Sequence, residues 1–117
     1  MLKQNVILEK SLAFATRVVR LSGYLSQVKK EFVISRQICK SGTSIGANVA
    51  EAQRAQSRAD FAAKMNIALK EANETLYWLK LLHRTDYLSD KAYKSLEKDL
   101  LEILKILIAI CNKLPQK

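Results

Sequence analysis

Glycine, proline, cysteine and histidine are all scarce in this chain, at three, one, two and one residues out of 117. So few breakers exclude a many-turned β fold, which spends a turn residue on every short strand. Cys39 and Cys111 stand far apart in apolar, helix-like surroundings. That suits reduced core thiols and excludes a disulfide framework or a zinc-ligand spacing. His83 has no metal-spaced companion and is assigned no chemistry. Long hydrophobic runs are missing too. The most apolar stretch, residues 103–111, contains Lys105 and is far shorter than the roughly 20 residues of a membrane-spanning helix. At the N-terminus Glu9 and Lys10 interrupt the apolar positions, so no secretory leader is expected. The expectation is a soluble, cytoplasmic protein with no membrane partner, no metal and no cofactor.

What remains is a helical composition. Hydrophobic residues make up 49% of the chain and charged residues 26%, enough at this length for one all-α domain, residues 1–117, with a substantial core. The formal charge is +9, and it is placed unevenly. Residues 1–58 carry ten Lys/Arg against Glu9, Glu31 and Glu51, whereas residues 59–117 carry ten against eight acids. A basic excess concentrated in one half points to a polyanionic partner such as RNA or DNA, although solubility alone can also account for it.

Apolar spacing divides the chain into helices at about 5–27, 32–56, 58–84 and 89–113. In the first, Ile7 or Leu8, Leu12, Ala15, Val18 or Val19 and Leu25 recur every three or four positions. Lys3, Lys10 and Arg17, extended by Arg20 and Tyr24, share its other face. Residues 41–52 hold the most distinctive text: Gly42 and Gly46 sit among small residues, yet Ile34, Ile38, Ile45, Val49 and Ala52 keep helical spacing straight through them. Each glycine costs about 1 kcal/mol relative to alanine in a helix. Close approach of another backbone is the compensating reason, with Gly42, Gly46 and Ala50 as a bare stripe. A phosphate-cradling loop is the competing reading, but the glycine spacing fits neither nucleotide-binding fingerprint and no strand precedes it. Arg36, Lys40, Thr43, Ala47, Glu51, Arg54 and Arg58 form a second stripe of this helix. Asn48 and Glu51 read as a buried register device.

Ser57-Arg58-Ala59-Asp60 has capping-box spacing and starts the third helix. Phe61, Met65, Ala68, Ala72, Thr75, Leu79 and Leu82 give that helix a bundle seam, and Tyr77 and Trp78 lie elsewhere around it as core or subunit-interface anchors. Ser89 caps the fourth helix, whose inward face is Leu96, Leu100, Ile103, Leu104, Leu107, Ile110, Cys111 and Leu114, before Pro115 ends the regular chain. Leu101, Ile106 and Ile108 fall outside that stripe, so this helix is expected to be buried on more than one side, most simply by self-association. Short connections predict an antiparallel up-down-up-down four-helix bundle.

The 41–52 text, followed by Ser57, Asp60-Phe61, Lys64, Ile67-Ala68-Leu69-Lys70-Glu71-Ala72 and Tyr77-Trp78-Leu79, closely resembles the four-helix-bundle family named for 23S rRNA intervening sequences, over nearly the whole chain. The resemblance implies an antiparallel four-helix bundle assembling as a ring-like homopentamer. The family name records gene location and establishes no activity. A related group, the accessory proteins of diversity-generating retroelements, forms similar basic pentamers that bind nucleic acid and associate with a reverse transcriptase. Asn48, Glu51 and Glu71 match the family motif as structural positions, together with Gly42 and Gly46.

Two functions follow as expectations. One is a non-enzymatic, oligomeric nucleic-acid-binding scaffold, for RNA before DNA, acting through Lys10, Arg17, Arg20, Arg36, Lys40, Arg54 and Arg58. The other is an adaptor ring that docks a protein, such as a nucleic-acid-processing protein, with no direct nucleic-acid role. A hydrolase or nuclease is disfavoured, because no metal-spaced acid cluster and no Cys/His or Ser/His pair is present.

Overall fold

The computed structural model describes residues 2–114, with side chains from residue 6 onward; the side chain of Lys3, and Pro115, lie outside the described part. Four α-helices account for almost all of it: α1 (Leu2–Gln27), α2 (Ile34–Ala52), α3 (Arg58–Arg84) and α4 (Asp90–Asn112). No strand occurs among the described residues. Helix α1 packs on α2, α2 on α3, α3 on α4, and α4 more lightly back on α1. One core fills the space between them, built from Ile7, Phe14, Val18 and Leu25, Ile38, Ile45 and Val49, Met65, Leu79 and Leu82, and Leu100, Ile103 and Leu107, each nearly inaccessible to solvent.

Three of the four faces are those the spacing predicts: on α2, Ile38, Ile45, Val49 and Ala52 are buried, with Ile34 partly so. On α3, Met65, Ala68, Ala72, Thr75, Leu79 and Leu82 are buried, with Phe61 partly so; on α4, so are Leu96, Leu100, Ile103, Leu104, Leu107 and Cys111. Helix α1 differs. Its buried face is Ile7, Ser11, Phe14, Val18, Leu21 and Leu25, while Leu12 and Val19 are 60% and 52% exposed. Both stripes have helical spacing, and the one α2 can approach most closely is the one that includes the small Ser11.

That approach explains the two glycines of α2. A Cβ on Gly42 would stand 2.7 Å from Val18 Cγ1, and one on Gly46 would stand 3.3 Å from Ser11 Oγ and 3.4 Å from the Ser11 carbonyl oxygen. The stripe stops there, since Ala50 is exposed. The buried polar tie lies elsewhere than expected. Asn48 turns back to donate to the Ser44 carbonyl of its own helix at 2.8 Å, and Glu51 is exposed, paired with Lys64 at 3.3 Å. It is Ser41 and Thr75 that are buried together, their hydroxyls 2.8 Å apart, with Thr75 Oγ1 also 2.8 Å from the Glu71 carbonyl oxygen. One proton on each hydroxyl satisfies both contacts: Ser41 donates to Thr75, and Thr75 donates to the carbonyl.

The connections are built by capping chemistry. Ser57 Oγ accepts from the Asp60 N–H at 3.0 Å, and the Asp60 carboxylate accepts in return from the Gln56 N–H at 3.2 Å. The helical ladder gives way before this pair to three-residue turns, the Arg54 N–H donating to Glu51 O and the Ala55 N–H to Ala52 O, so α2 ends at Ala52 and not near Gln56. Ser89 caps α4 by accepting from Ala92. Helix α3 closes with Asp86 at φ 68°, the Tyr87 N–H donating to Leu82 O and the Asp86 N–H to His83 O, the two bonds of a Schellman ending.

The start of α2 has an unexpected cap. No serine or threonine precedes it; instead the Glu31 carboxylate accepts from the N–H groups of Val33, Ile34 and Ser35 at 3.1, 2.9 and 2.7 Å. Three orphan donors and the positive end of the helix dipole therefore meet one anion. Glu31→Ala is expected to lower unfolding free energy by about 1–2 kcal/mol, read as a lower urea midpoint at unchanged slope.

Candidate nucleic-acid interface

The seven basic residues singled out in the sequence separate into three groups. Lys10, Arg17 and Arg20 lie along α1, Arg36 and Lys40 on the exposed side of α2, and Arg54 and Arg58 at the connection between α2 and α3. Because α2 ends at Ala52, Arg54 and Arg58 do not continue the Arg36 stripe.

Two of the seven are committed within the molecule. Arg17 Nη1 donates to Asp99 Oδ2 at 2.7 Å and to the Ser95 carbonyl at 3.3 Å, while Nη2 donates to Ser95 Oγ at 3.0 Å. Its fork thus clamps α1 to α4, the pair of helices with the lightest packing. Lys10 pairs with Glu102 of α4 at 3.1 Å. Arg20, Arg36, Lys40, Arg54 and Arg58 are exposed and make no ion pair with a described residue.

One end of the molecule is concave. A cleft of about 750 Å³ opens between the last turns of α1, the 28–33 connection and the turn joining α3 to α4. Leu21, Leu88 and Leu96 contribute its apolar lining, and Arg17, Arg20, Tyr24, Lys29, His83, Asp86 and Asp90 its polar part. The Lys29 ammonium lies 6.0 Å from the Tyr24 ring centroid, at the outer limit of a cation–π contact. His83 Nε2 is 2.6 Å from Asp90 Oδ1, and the His83 ring is stacked on Tyr93 with centroids 4.2 Å apart. The hydrogen bond from His83, and then the imidazole's charge, hold the Asp90 carboxyl below the usual carboxylate range. Tyr93 in turn donates to Glu97 at 2.7 Å; burial first, and that bond second, push its phenol up.

Of these groups the sequence singled out Arg17, Arg20 and Tyr24. Lys29, Asp86 and Tyr87 belong to the turns, where helical spacing carries no information about which side chains meet. The available signal was the cluster of aromatic and charged residues at 83–90 opposite Tyr24, once the α1–α2 connection and the α3–α4 turn lie at the same end.

Gly42 and Gly46 face α1, and Asn48, Glu51 and Glu71 are not among the residues that line the cleft. Cys39 is partly exposed and Cys111 buried; burial pushes the Cys111 thiol up, which makes it a poor nucleophile. Among the described residues no group of three His, Cys, Asp or Glu is placed to hold a metal ion. None of their helices is long and apolar enough to cross a membrane.

Comparison with known proteins places this arrangement in context. The family model described as 23S rRNA-intervening sequence protein matches residues 3–109. A crystal structure of a protein with unknown function from the S23 ribosomal protein family, from Bacteroides thetaiotaomicron VPI-5482, is 58% identical, superposes with a TM-score of 0.93, and covers 95% of this chain and 99% of that one. No curated protein matches the chain.

Proposed function

From a chain that belongs to the 23S rRNA-intervening sequence protein family, we propose a non-enzymatic, oligomeric nucleic-acid-binding scaffold, with RNA as the favoured ligand. The observation that carries this reading is the exposure of Arg20, Arg36, Lys40, Arg54 and Arg58 with no acid partner among the described residues. Cations left without partners are the ones able to neutralise phosphates and release counterions. Lys10 and Arg17 serve chiefly to hold α4.

The bundle in this reading is antiparallel and up-down-up-down. Contacts support it: Ser11 and Val18 meet Gly46 and Gly42, Glu51 and Ser41 meet Lys64 and Thr75, and Lys10 and Arg17 meet Glu102 and Asp99, so partners descend on one helix as they ascend on the other. The assembly is a ring-like homopentamer. Leu12 and Val19 on α1, and Leu101 and Ile108 on α4, are each spaced seven apart and exposed in the single chain, which supplies apolar area for neighbouring copies.

The adaptor reading keeps one observation of its own: Val28, Phe32 and Val33 are 63%, 50% and 65% exposed within one short connection, a surface suited to a protein partner. Recovery of one stoichiometric protein after nuclease treatment would favour it.

Particle mass and binding are measured on one sample. The expected result is a particle near five times the 13.3 kDa chain, binding RNA and DNA with an affinity that falls steeply as salt rises. A monomeric mass removes the ring; negligible binding at low salt, or binding flat with salt, removes the scaffold.

A further inference from the structure

Resting on the nucleic-acid reading, we infer that the cleft at the 28–33 and 85–89 end seats one unpaired nucleotide of the bound strand, its base on the Tyr24 ring and its phosphate against Arg20 and Lys29. The surface alone would bind any polyanion; the cleft has features that a uniform phosphate track lacks.

First, Tyr24 is 44% exposed on the wall that also carries Arg20 and Lys29. A half-exposed ring with the Lys29 ammonium 6.0 Å from its centroid, and two cations with no ion pair to a described residue, offer stacking on the ring and phosphate neutralisation beside it, and every base has a face to stack. Second, the cleft also holds Asp86 and Asp90. Two carboxylates repel a backbone threading the whole cleft, so phosphate is confined to the Arg20 and Lys29 side. Asp90 is occupied by His83, whereas the Asp86 carboxylate has no hydrogen-bond partner among the described residues and can accept from a base N–H. Third, the lining contributed by Leu21, Leu88 and Leu96 is apolar, as the flat body of a base requires and a phosphate does not. In a duplex the base faces are covered by their neighbours, and only single strands, loops and ends present them to a protein.

The test compares a short oligonucleotide with its own duplex by fluorescence anisotropy at one salt concentration, followed by a salt series. The intact protein is expected to prefer the single strand. Tyr24→Leu should lower single-strand affinity about tenfold more than duplex affinity while leaving the salt slope unchanged, and Tyr24→Phe, which retains the ring, should recover most of the loss. Arg20→Gln should instead flatten the salt slope for both ligands. Unchanged thermal melting of these exposed-site variants shows that each is folded. Strong, salt-dependent binding with equal affinity for both ligands and no effect of Tyr24→Leu would overturn the nucleotide seat and leave the scaffold standing. Absence of binding by either ligand at low salt overturns both.

Discussion

A Gly42→Val variant is expected to lose about 3 kcal/mol of unfolding free energy, even though valine is by a few tenths of a kcal/mol the better residue for a helix interior. The loss comes from Val18. Its Cγ1 and Cγ2 would lie 2.7 and 2.9 Å from a Cβ at position 42, and a β-branched side chain fixed at χ1 within a helix has no alternative rotamer into which to retreat. Val18 is fully buried, so relief means moving α1 away from α2 and opening the core beyond. Gly46→Ala gives the contrast. There the nearest atoms stand at 3.3–3.5 Å, and a few tenths of an ångström of backbone shift are set against about 1 kcal/mol of helix propensity; its net effect should be under about 1 kcal/mol. Val18→Ala combined with Gly42→Ala removes both clashing methyls. The double variant should be more stable than the two single losses add up to, with a coupling of about 1–2 kcal/mol. Additive losses in urea titrations would mean that the two residues do not meet.

These glycines show which parts of the fold are legible in the sequence. Their role as a close-approach surface could be inferred because helical spacing continued through them, and the seams of α3 and α4 could be traced because one stripe held the large apolar residues. Helix α1 offered two apolar stripes of the same period. Choosing Phe14 over Leu12 requires knowing that α2 presents Gly46 against Ser11, a fact of tertiary packing. The end of α2 was hidden for a different reason. Residues 53–56 have ordinary helical propensity, yet Arg54 and Ala55 donate to carbonyls three residues back and Gln56 donates to the Asp60 carboxylate, contacts that spacing does not announce. The same limit applies to the site. The basic residues stood out by charge, but Arg17 could not be separated from Arg20 until Asp99 and Ser95 were found beneath one of them.

That separation leads to the largest expected effect on binding. A variant with Arg20, Arg36, Lys40 and Lys29 all changed to glutamine should bind single-stranded nucleic acid on the order of 10²–10³ times more weakly near 0.1 M salt, because each lost phosphate contact removes about 0.7 from the slope of log affinity against log salt. The slope itself should flatten by about 3. Lys10→Gln and Arg17→Gln, singly, should change the slope much less, since Glu102 and Asp99 already neutralise those charges at 3.1 and 2.7 Å. Arg17→Gln should act instead on stability, by up to about 1 kcal/mol for a partly exposed pair. Slopes from titrations at several salt concentrations decide between this picture and a diffuse one. If Lys10 and Arg17 flatten the slope as much as Arg20 and Lys40 do, net charge alone governs binding and the pairing across α1 and α4 is irrelevant to it. If the fourfold variant keeps its slope, the strand follows Arg54 and Arg58 at the α2–α3 connection and not the surface of α1 and α2.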